Sequence, residues 1–392
     1  MANFWVGTLR VILRNARTLI EGQASSPVRD IFIEKGRVVE TSAPTAADVD
    51  LEGRLVLPAL VNAHDHLDFS SFPALGRPPY PSVYAWADDV AGGVNDASAQ
   101  QALAVPEVDR LFLGGVRNLL AGATSVIHHN PFHRSLARDD FPVHVLERYQ
   151  FAHSPGLTTR LRKTYRSTDR RIPWFVHVAE GVDDRCRTEL GALVEANVLR
   201  HNTVIVHGIA FDEADAARLA EAEACVVWCP ESNRHLYGAT TPIALLRAAG
   251  VRIGLGSDSP ASGVRDPLSN LAAARREGLL SDAELIDLAT RASAEVARLP
   301  LGGTSPGAPA DLIVVPSLER LLAGERAAIE LVVRAGRLAF GRSEWLPAAA
   351  AITVDGEPRR LEPSVAARVA GLLRRYPQVR RATWLAGVDV TA

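Results

Sequence analysis

Apolar and polar positions follow two different patterns along this chain, and the change between them predicts its layout. Near the start and again near the end, short runs alternate apolar and polar residues around turn residues such as Lys35, Gly36 and Gly336. This alternation is typical of β-hairpins with one buried face. We therefore predict one small β-sandwich domain that is formed from both termini, residues 1–55 and 301–360.

Between these ends, residues 56–300 alternate continuous apolar runs with stretches whose apolar residues recur every three or four positions. The first pattern is typical of buried strands and the second of amphipathic helices, so the segment predicts repeated βα units. The apolar runs are LPALVNAH, TSVIHH, VHVLERYQFAH, WFVHVAE, TVIVHG, CVVWCP and RIGLGSD.

These units predict an α/β fold whose central part is a TIM-like (β/α) barrel. Seven strands are recognisable, because residues 154–172 fit one short helix and no clear strand. Either the fourth strand is disguised or the barrel is incomplete. Residues 361–392 predict a C-terminal helical extension, for which the sequence indicates packing and no function.

Composition narrows the class of protein. Of 392 residues, 47% are hydrophobic, and 43 Lys+Arg balance 45 Asp+Glu, so no basic surface points to nucleic acid or to an anionic membrane. No apolar stretch reaches the length of a membrane span, and the first residues lack the features of a secretory leader. Three cysteines do not make a disulfide framework. We expect a cytoplasmic protein with reduced thiols that acts on a small molecule.

Residues that can bind a metal ion stand at the ends of the predicted strands. His64 and His66 are two positions apart in NAHDH, so a strand points both side chains to the same side. His177, His207 and Asp258 close three later strands at their carboxyl ends, the face on which barrel enzymes assemble their sites. Taken singly, each of these residues could have a structural role instead. All five, however, would meet at one mouth of the barrel, at the carboxyl ends of its strands.

Three imidazoles and a carboxylate make a suitable shell for Zn²⁺, and Fe²⁺ and Mn²⁺ are the alternatives. A bound divalent ion lowers the pKa of water from 15.7 to about 7 and so gives hydroxide at neutral pH. Glu180 follows His177 by three residues, where the chain leaves its strand and can swing the carboxylate over the mouth. We predict that Glu180 moves protons, and the alternative is a surface carboxylate.

The segment 67–90, after the NAHDH motif, carries aromatic residues that could cover a flat ring. They are Phe69, Phe72, Tyr80, Tyr84 and Trp86, and packing within the loop is the alternative for half of them. His129 and His153 end the second and third predicted strands, and Asn233 lies beside the mouth in CPESN. We predict that Trp86, His129, His153 and Asn233 bind substrate, with structural hydrogen bonding as the alternative for the last three.

Together these residues resemble those of the amidohydrolase superfamily, and the chain looks like its branch of cytosine deaminases, guanine deaminases and chlorohydrolases. The matching words, in family order, are LVLPALVNAHDHL, GATSV, HVAEG, VHG, VVWCPESN and LGSDS, and the resemblance covers about residues 20–345. It implies that a single metal ion is bound by four residues, which are His64, His66, His177 and Asp258.

The resemblance also implies catalytic roles at three positions. Asp258 would take a proton from the metal-bound water, Glu180 would pass protons to the substrate nitrogen and the leaving group, and His207 would polarise the water or the substrate. Members with two metal ions usually bridge them with a carboxylated lysine on the fourth strand. Lys163 lies in a helical pattern instead, which favours one ion. A homodimer or larger assembly is also implied.

The predicted activity is that of a metal-dependent hydrolase acting on carbon–nitrogen bonds other than peptide bonds. The first choice is hydrolytic deamination of an amino-substituted heterocycle by metal-bound hydroxide. The alternatives are hydrolysis of a cyclic amide or imide, loss of another leaving group from such a ring, and a metal-holding barrel without catalysis. Because Glu180, His207 and Asp258 are all present, the last alternative is disfavoured. The substrate, the metal and the oligomeric state stay open at this stage.

Overall fold

The computed structural model describes residues 10–19, 27–41, 47–93 and 97–390. Parts of the predicted β-sandwich domain and the last two residues of the C-terminal extension lie outside the described residues. The strands are β1 (Val11–Thr18), β2 (Arg29–Glu34), β3 (Arg37–Val39), β4 (Ala47–Asp50), β5 (Leu55–Pro58), β6 (Leu60–Asp65), β7 (Ala123–His128), β8 (His144–Val145), β9 (Gln150–Ala152), β10 (Trp174–Val178), β11 (Thr203–His207), β12 (Cys225–Trp228), β13 (Arg252–Leu255), β14 (Leu312–Val315), β15 (Leu331–Arg334), β16 (Arg337–Arg342), β17 (Ala350–Val354), β18 (Glu357–Leu361) and β19 (Val388–Asp389).

The α-helices lie mainly between the strands of the central segment. They are α1 (Val83–Gly92), α2 (Ala97–Leu103), α3 (Glu107–Leu120), α4 (Leu161–Arg166), α5 (Asp184–Glu195), α6 (Glu213–Glu221), α7 (Pro230–Tyr237), α8 (Ile243–Ala248), α9 (Pro267–Arg276), α10 (Asp282–Asp287), α11 (Ser293–Ala297), α12 (Leu318–Leu322) and α13 (Pro363–Arg375). Among the described residues, none of these helices has the length and apolar character that crossing a membrane requires.

Strands from both ends of the chain form one sheet, which has eleven strands within the described residues. The two ends join where β5 pairs with β1 on one side and with β14 on the other. The hairpin turns at Gly36 and Gly336 meet tip to tip, and both glycines have a φ of 77°. A Cβ atom on Gly336 would lie 2.8 Å from the Cα atom of Gly36, so the contact requires glycine.

Strands β6 to β13 are parallel, and they follow one another around a ring in chain order. β6, β7 and β8 form one sheet, and β9 to β13 form another. The ring closes beside the predicted site, where Asp65 and Asp258 form a bridge and the amide of Asp258 donates to the carbonyl of His64 at 3.0 Å. The structure therefore has the TIM-like barrel that the sequence predicts, with eight strands.

The count of seven strands was too low, and the missing strand lies inside a run that we predicted as one strand. VHVLERYQFAH contains both β8 and β9, which are joined by only four residues. Leu146 and Tyr149 are buried within this link, so the apolar pattern continues through the turn and hides the break. His153 consequently follows the fourth strand and not the third. The segment 154–172 contains one short helix, α4, as predicted.

Burial explains why the barrel strands have continuous apolar runs. Every residue of β6, β7, β10, β11 and β12 is buried, because helices cover the outside and side chains fill the inside. The interior contains small and branched side chains such as Ala63, Ile127, Val206 and Val227. The three cysteines are buried and unpaired, as predicted.

The C-terminal extension packs against the segment that follows the NAHDH motif. It holds the α-helix α13 and two short 3₁₀ helices, Pro377–Arg381 and Thr383–Leu385, and its end rejoins the terminal sheet as β19. The buried indole of Trp384 donates a hydrogen bond to the carbonyl of Ser70 at 2.7 Å. The domain boundaries at residues 55, 300 and 360 stay predictions.

Candidate metal centre and active site

Four histidine rings converge at the carboxyl ends of the barrel strands. The rings of His64, on β6, and of His66, which directly follows β6, lie 4.9 Å apart. The Nε2 atom of His177 on β10 is 3.4 Å from the Nε2 atom of His64. The ring of His207, at the end of β11, lies 5.2 Å from that of His177.

Asp258 completes the cluster from the turn after β13. Its Oδ1 atom lies 3.8 Å from Nε2 of His64 and 3.9 Å from Nε2 of His66. Burial raises the pKa of Asp258 to about 6, which the nearby His207 partly offsets. The structure thus brings together all five residues that the sequence places at strand ends.

The donor set fits a divalent metal ion. Two overlapping groups, His64 with His66 and Asp258, and His64 with His177 and His207, each bring their nitrogen and oxygen atoms within 4.8 Å. Burial holds the pKa of His64, His66 and His177 well below its ordinary value, so their imidazoles are neutral, which is the form that binds metal. Two neutral Nε2 atoms 3.4 Å apart are close enough to bind one metal ion together.

Glu180 lies over this cluster because the backbone reverses after β10. Ala179 has a φ of 54°, a left-handed conformation that swings the next side chain back to the mouth. The Oε1 atom of Glu180 accepts a hydrogen bond from the hydroxyl of Tyr237 at 2.7 Å and lies 3.4 Å from Nε2 of His207. Burial raises the pKa of Glu180 to about 8, although the Tyr237 hydrogen bond opposes the shift. Glu180 is 4% exposed, so it is not the surface carboxylate of the alternative.

His207 is oriented from behind by Asn233. The Nδ1 atom of His207 is 2.8 Å from Oδ1 of Asn233, whose amide nitrogen donates to Thr241 at 3.2 Å. This arrangement makes Nδ1 the protonated nitrogen and leaves the lone pair of Nε2 directed at Glu180 and the mouth. Asn233 is fully buried and does not line the described cavity, so its predicted contact with substrate stays a prediction.

Two of these residues have an unfavourable backbone conformation. His207 has a φ of 77° and Asp258 a φ of 61°, in the left-handed region that non-glycine residues rarely adopt. Strain of this kind costs about 1–3 kcal/mol per residue and is concentrated at functional sites. At these two strand ends, the strained turn directs the side chain into the mouth.

His129 and His153 lie beside the cluster in different ways. The ring of His129 stacks on that of His177 with centroids 4.2 Å apart and planes 16° apart, and its Nε2 atom is 3.0 Å from the carbonyl of Ala152. Lone pairs lie in the ring plane, so stacked rings do not point at the same ion. His129 supports His177 from the side, while His153 lines the cavity. Contact of either residue with substrate stays a prediction.

A cavity of about 840 Å³ opens above the cluster. Its floor contains His66, His177, Glu180, His207 and Asp258. Of the predicted aromatic cover, Phe69, Phe72 and Trp86 line the cavity. Tyr84 is turned away and donates its hydroxyl to Glu189.

Behind the NAHDH motif lies a buried ion pair that the sequence did not reveal. The Nη2 atom of Arg117 on α3 donates to both carboxylate oxygens of Asp65 at 2.5 and 2.6 Å. Both side chains are completely buried. Asp65 stands between His64 and His66, so this pair fixes the strand end that carries both imidazoles.

We expect the Arg117→Met variant to lose about 3–5 kcal/mol of unfolding free energy, because the carboxylate of Asp65 stays buried without its cation. Urea denaturation measures the loss. Arg138 forms an ion pair with Asp140 in which the arginine side chain is 63% exposed, so Arg138→Met is a matched control that should change stability by less than about 1 kcal/mol. Equal losses in both variants would contradict the structural role of Arg117.

Glu189 on α5 supports the turn that carries Glu180, and no sequence pattern predicts this role. Its Oε2 atom accepts the amide of Ala179 at 2.6 Å, and its Oε1 atom accepts the hydroxyl of Tyr84 on α1. The same turn is tied to α1 a second time, because the amide of Val83 donates to the carbonyl of Glu180 at 2.9 Å. The turn and the helix that carries Trp86 are therefore one connected unit.

For Glu189→Ala we expect a loss of about 1–3 kcal/mol of stability, because the amide of Ala179 is left buried without an acceptor. Glu189→Gln retains an acceptor oxygen and should recover most of it. Thermal unfolding measures both variants, with Glu195→Ala, an exposed position on the same helix, as the control. A glutamine variant as unstable as the alanine variant would show that charge, and not the hydrogen bond, supports the turn.

Comparisons with known proteins show which sequences and folds this chain resembles. A model of the amidohydrolase family matches residues 168–356. The chain is 25% identical to 8-oxoguanine deaminase of Pseudomonas aeruginosa over 437 aligned positions, covering 88% of this chain and 97% of that protein. An adenosine deaminase of Xanthomonas campestris with bound zinc has a TM-score of 0.73 at 19% identity, covering 95% of this chain and 99% of that one. Atrazine chlorohydrolase of Arthrobacter aurescens in complex with zinc has a TM-score of 0.66 at 17% identity, with 84% and 94% covered.

Proposed function

We propose that the chain is a member of the amidohydrolase superfamily and a hydrolase that deaminates an amino-substituted heterocycle with the help of one zinc ion. The observation that carries the proposal is the position of Glu180. Its buried carboxyl lies 3.4 Å from His207 and faces the cluster of neutral imidazoles at the floor of a cavity. A proton donor at this position fits a reaction in which a nitrogen is protonated and leaves.

We propose that His64, His66, His177 and Asp258 hold the ion. When bound, a zinc ion in such a set of ligands polarises the substrate and lowers the pKa of water to about 7. Support comes from the distances among these side chains and from the neutral state of the three imidazoles.

The protein groups supply the proton transfers. The oxygen of water bonds to the sp² carbon that bears the amino group, Asp258 accepts a proton from the water, and Glu180 donates its proton to the adjacent ring nitrogen. Glu180 then takes the proton of the added hydroxyl and passes it to the amino group. The carbon–nitrogen bond breaks, ammonia leaves, and the ring retains a carbonyl. The proton on Asp258 returns to Glu180, and the site regains its starting state.

His207 polarises the reacting oxygen in this scheme. Its Nδ1–H group donates to Asn233, so the neutral ring presents the lone pair of Nε2 to the cavity, where it can accept a hydrogen bond from the attacking water. We propose that His153 and Trp86, which line the cavity, contact the substrate. Asn233 and His129 act through His207 and His177, which they touch.

Three further proposals concern the protein as a whole. We propose that the eleven-stranded sheet forms a small β-sandwich, that the enzyme is a homodimer, and that it works in the cytoplasm. Three buried, unpaired thiols favour a reducing compartment. The dimer follows from the family resemblance.

The test combines metal analysis with product detection on one purified sample. We expect about one zinc ion per chain and release of ammonia from at least one ring in a panel of amino-heterocycles. A new carboxylate without ammonia would show opening of a cyclic amide or imide, and chloride release from a chlorinated ring would show another leaving group. Metal-loaded protein that changes none of these compounds would favour the metal-holding barrel without catalysis.

A further inference from the structure

The cavity above the cluster is larger than a bare heterocycle requires. Its volume of about 840 Å³ is in the upper part of the range, about 300–1,000 Å³, in which pockets enclose drug-sized ligands. The groups that the proposed reaction uses occupy only the floor. The outer part of the cavity is therefore available to a second portion of the substrate.

The outer walls are apolar. They are formed by the loop after the NAHDH motif, by α1 and α2, and by the segment after β9, which contribute Phe69, Leu75, Val83, Trp86, Leu103 and Leu157. The indole N–H of Trp86 already donates to the carbonyl of Leu75 at 3.2 Å. Trp86 therefore has no donor left for a polar ligand and offers the cavity an apolar ring.

Two leucines at the rim are exposed to an unusual degree. Leu103 on α2 is 48% exposed and Leu157, after β9, is 49% exposed, and both line the cavity. Apolar surface in water costs roughly 25 cal/mol per Å², so a ligand that covers these side chains gains free energy. Because this surface is continuous with the cavity, the occupant that fits it is a part of the substrate itself.

The outer walls contain little charge. Among the described residues that line this part, Arg77 and Asp89 are the charged ones, and they have opposite signs. A phosphate group is usually bound by several cations or by a helix N-terminus with free amides. The described part of the outer cavity therefore lacks the cation cluster that a nucleotide would need.

We propose that the substrate is an uncharged amino-heterocycle with an apolar substituent larger than a methyl group, which lies against Trp86 and between Leu103 and Leu157. This inference rests on the proposed function, because the ring must reach Glu180 and His207 while the substituent fills the outer walls. The deaminated ring lies at the floor, and the substituent points toward the mouth.

Two series of probes test the inference on the zinc-loaded enzyme. The probes are 9-methyladenine, 9-butyladenine and adenosine 5′-monophosphate, together with 1-methylcytosine and 1-butylcytosine. We expect kcat/KM for ammonia release to rise about tenfold or more from methyl to butyl on the accepted ring, because three methylene groups become buried. The monophosphate should react at least about tenfold more slowly than the butyl probe. Equal kcat/KM for methyl and butyl would overturn the apolar subsite and leave the deamination proposal standing.

Substitutions at the rim locate the subsite. Leu103→Asn and Leu157→Asn should each lower the butyl-to-methyl ratio of kcat/KM by about threefold or more. Leu279→Asn is the matched control, because Leu279 is 43% exposed and does not line the cavity. A butyl preference that persists in both rim variants would overturn the assignment to these leucines.

If neither ring is hydrolysed, measurements of binding affinity still test the apolar subsite. Calorimetry on the zinc-loaded protein then compares Kd for the methyl and butyl probes. A Kd about tenfold lower for butyl, lost in the rim variants, supports the apolar subsite even though the deamination of these rings has failed. Equal Kd values for methyl and butyl overturn the subsite.

Discussion

The Glu180→Gln variant is expected to keep its zinc and to lose about 10²- to 10⁴-fold in kcat, which is the contribution of a general acid or base. Glutamine has nearly the shape of glutamate and can still accept the hydroxyl hydrogen bond of Tyr237, so the cavity is preserved. It cannot donate a proton to a ring nitrogen or take one from the added hydroxyl. Metal analysis and single-turnover ammonia release measure the two quantities separately.

The control for this variant is Glu231→Gln. Glu231 is also a largely buried glutamate, whose pKa burial raises to about 7, but it hydrogen bonds with Ser269 and does not line the cavity. Its kcat should stay within about twofold of the natural protein. Full turnover in Glu180→Gln on a true substrate would disprove the proton-transfer role of Glu180.

The second large effect is expected on metal content. His64→Asn and Asp258→Asn should each purify with far less than one zinc ion per chain. The first removes the Nε2 atom that lies 3.8 Å from Oδ1 of Asp258, and the second removes the negative charge of the carboxylate. We expect zinc affinity to fall by more than the 10- to 100-fold that loss of a supporting residue costs. Competition with a chelator measures this affinity directly.

His201→Asn is the matched control for these variants. His201 is an exposed histidine whose ring nitrogen bonds to the carbonyl of Arg170, away from the cluster. Its zinc content should equal that of the natural protein. Normal occupancy in both His64→Asn and Asp258→Asn would reject the proposed ligand set.

The residues of the cluster could be predicted from the sequence because local rules determine their positions. A two-residue period puts His64 and His66 on one side of a strand, and parallel strands bring His177, His207 and Asp258 to the same end of a barrel. Neither inference needs the length or path of the connections. The left-handed turn at Ala179, which brings Glu180 back over the mouth, was anticipated only as a change of direction after the strand.

The supporting residues could not be predicted from the sequence, because they contact residues that are far away along the chain. Tyr237 meets Glu180 from 57 positions away, and Arg117 meets Asp65 from 52 positions away. No local pattern distinguishes a tyrosine on α7 or an arginine on α3 from a packing or surface residue. The fourth strand was hidden by a different cause, since buried Leu146 and Tyr149 continued the apolar pattern through a turn.

The hydrogen bond from Trp384 to Ser70 joins residues that are 314 positions apart, so it sets the order in which this part of the fold can be completed during protein synthesis. Barrel strands can pair as they leave the ribosome, because domains generally fold from the N-terminal side. Ser70, which lies four residues after His66, receives its buried donor only from the last part of the chain. A polypeptide released before Trp384 is translated could build the barrel and its histidine cluster, but the loop over the substrate would lack its anchor. The loop after the NAHDH motif therefore gains this anchor only after residue 384 has been translated.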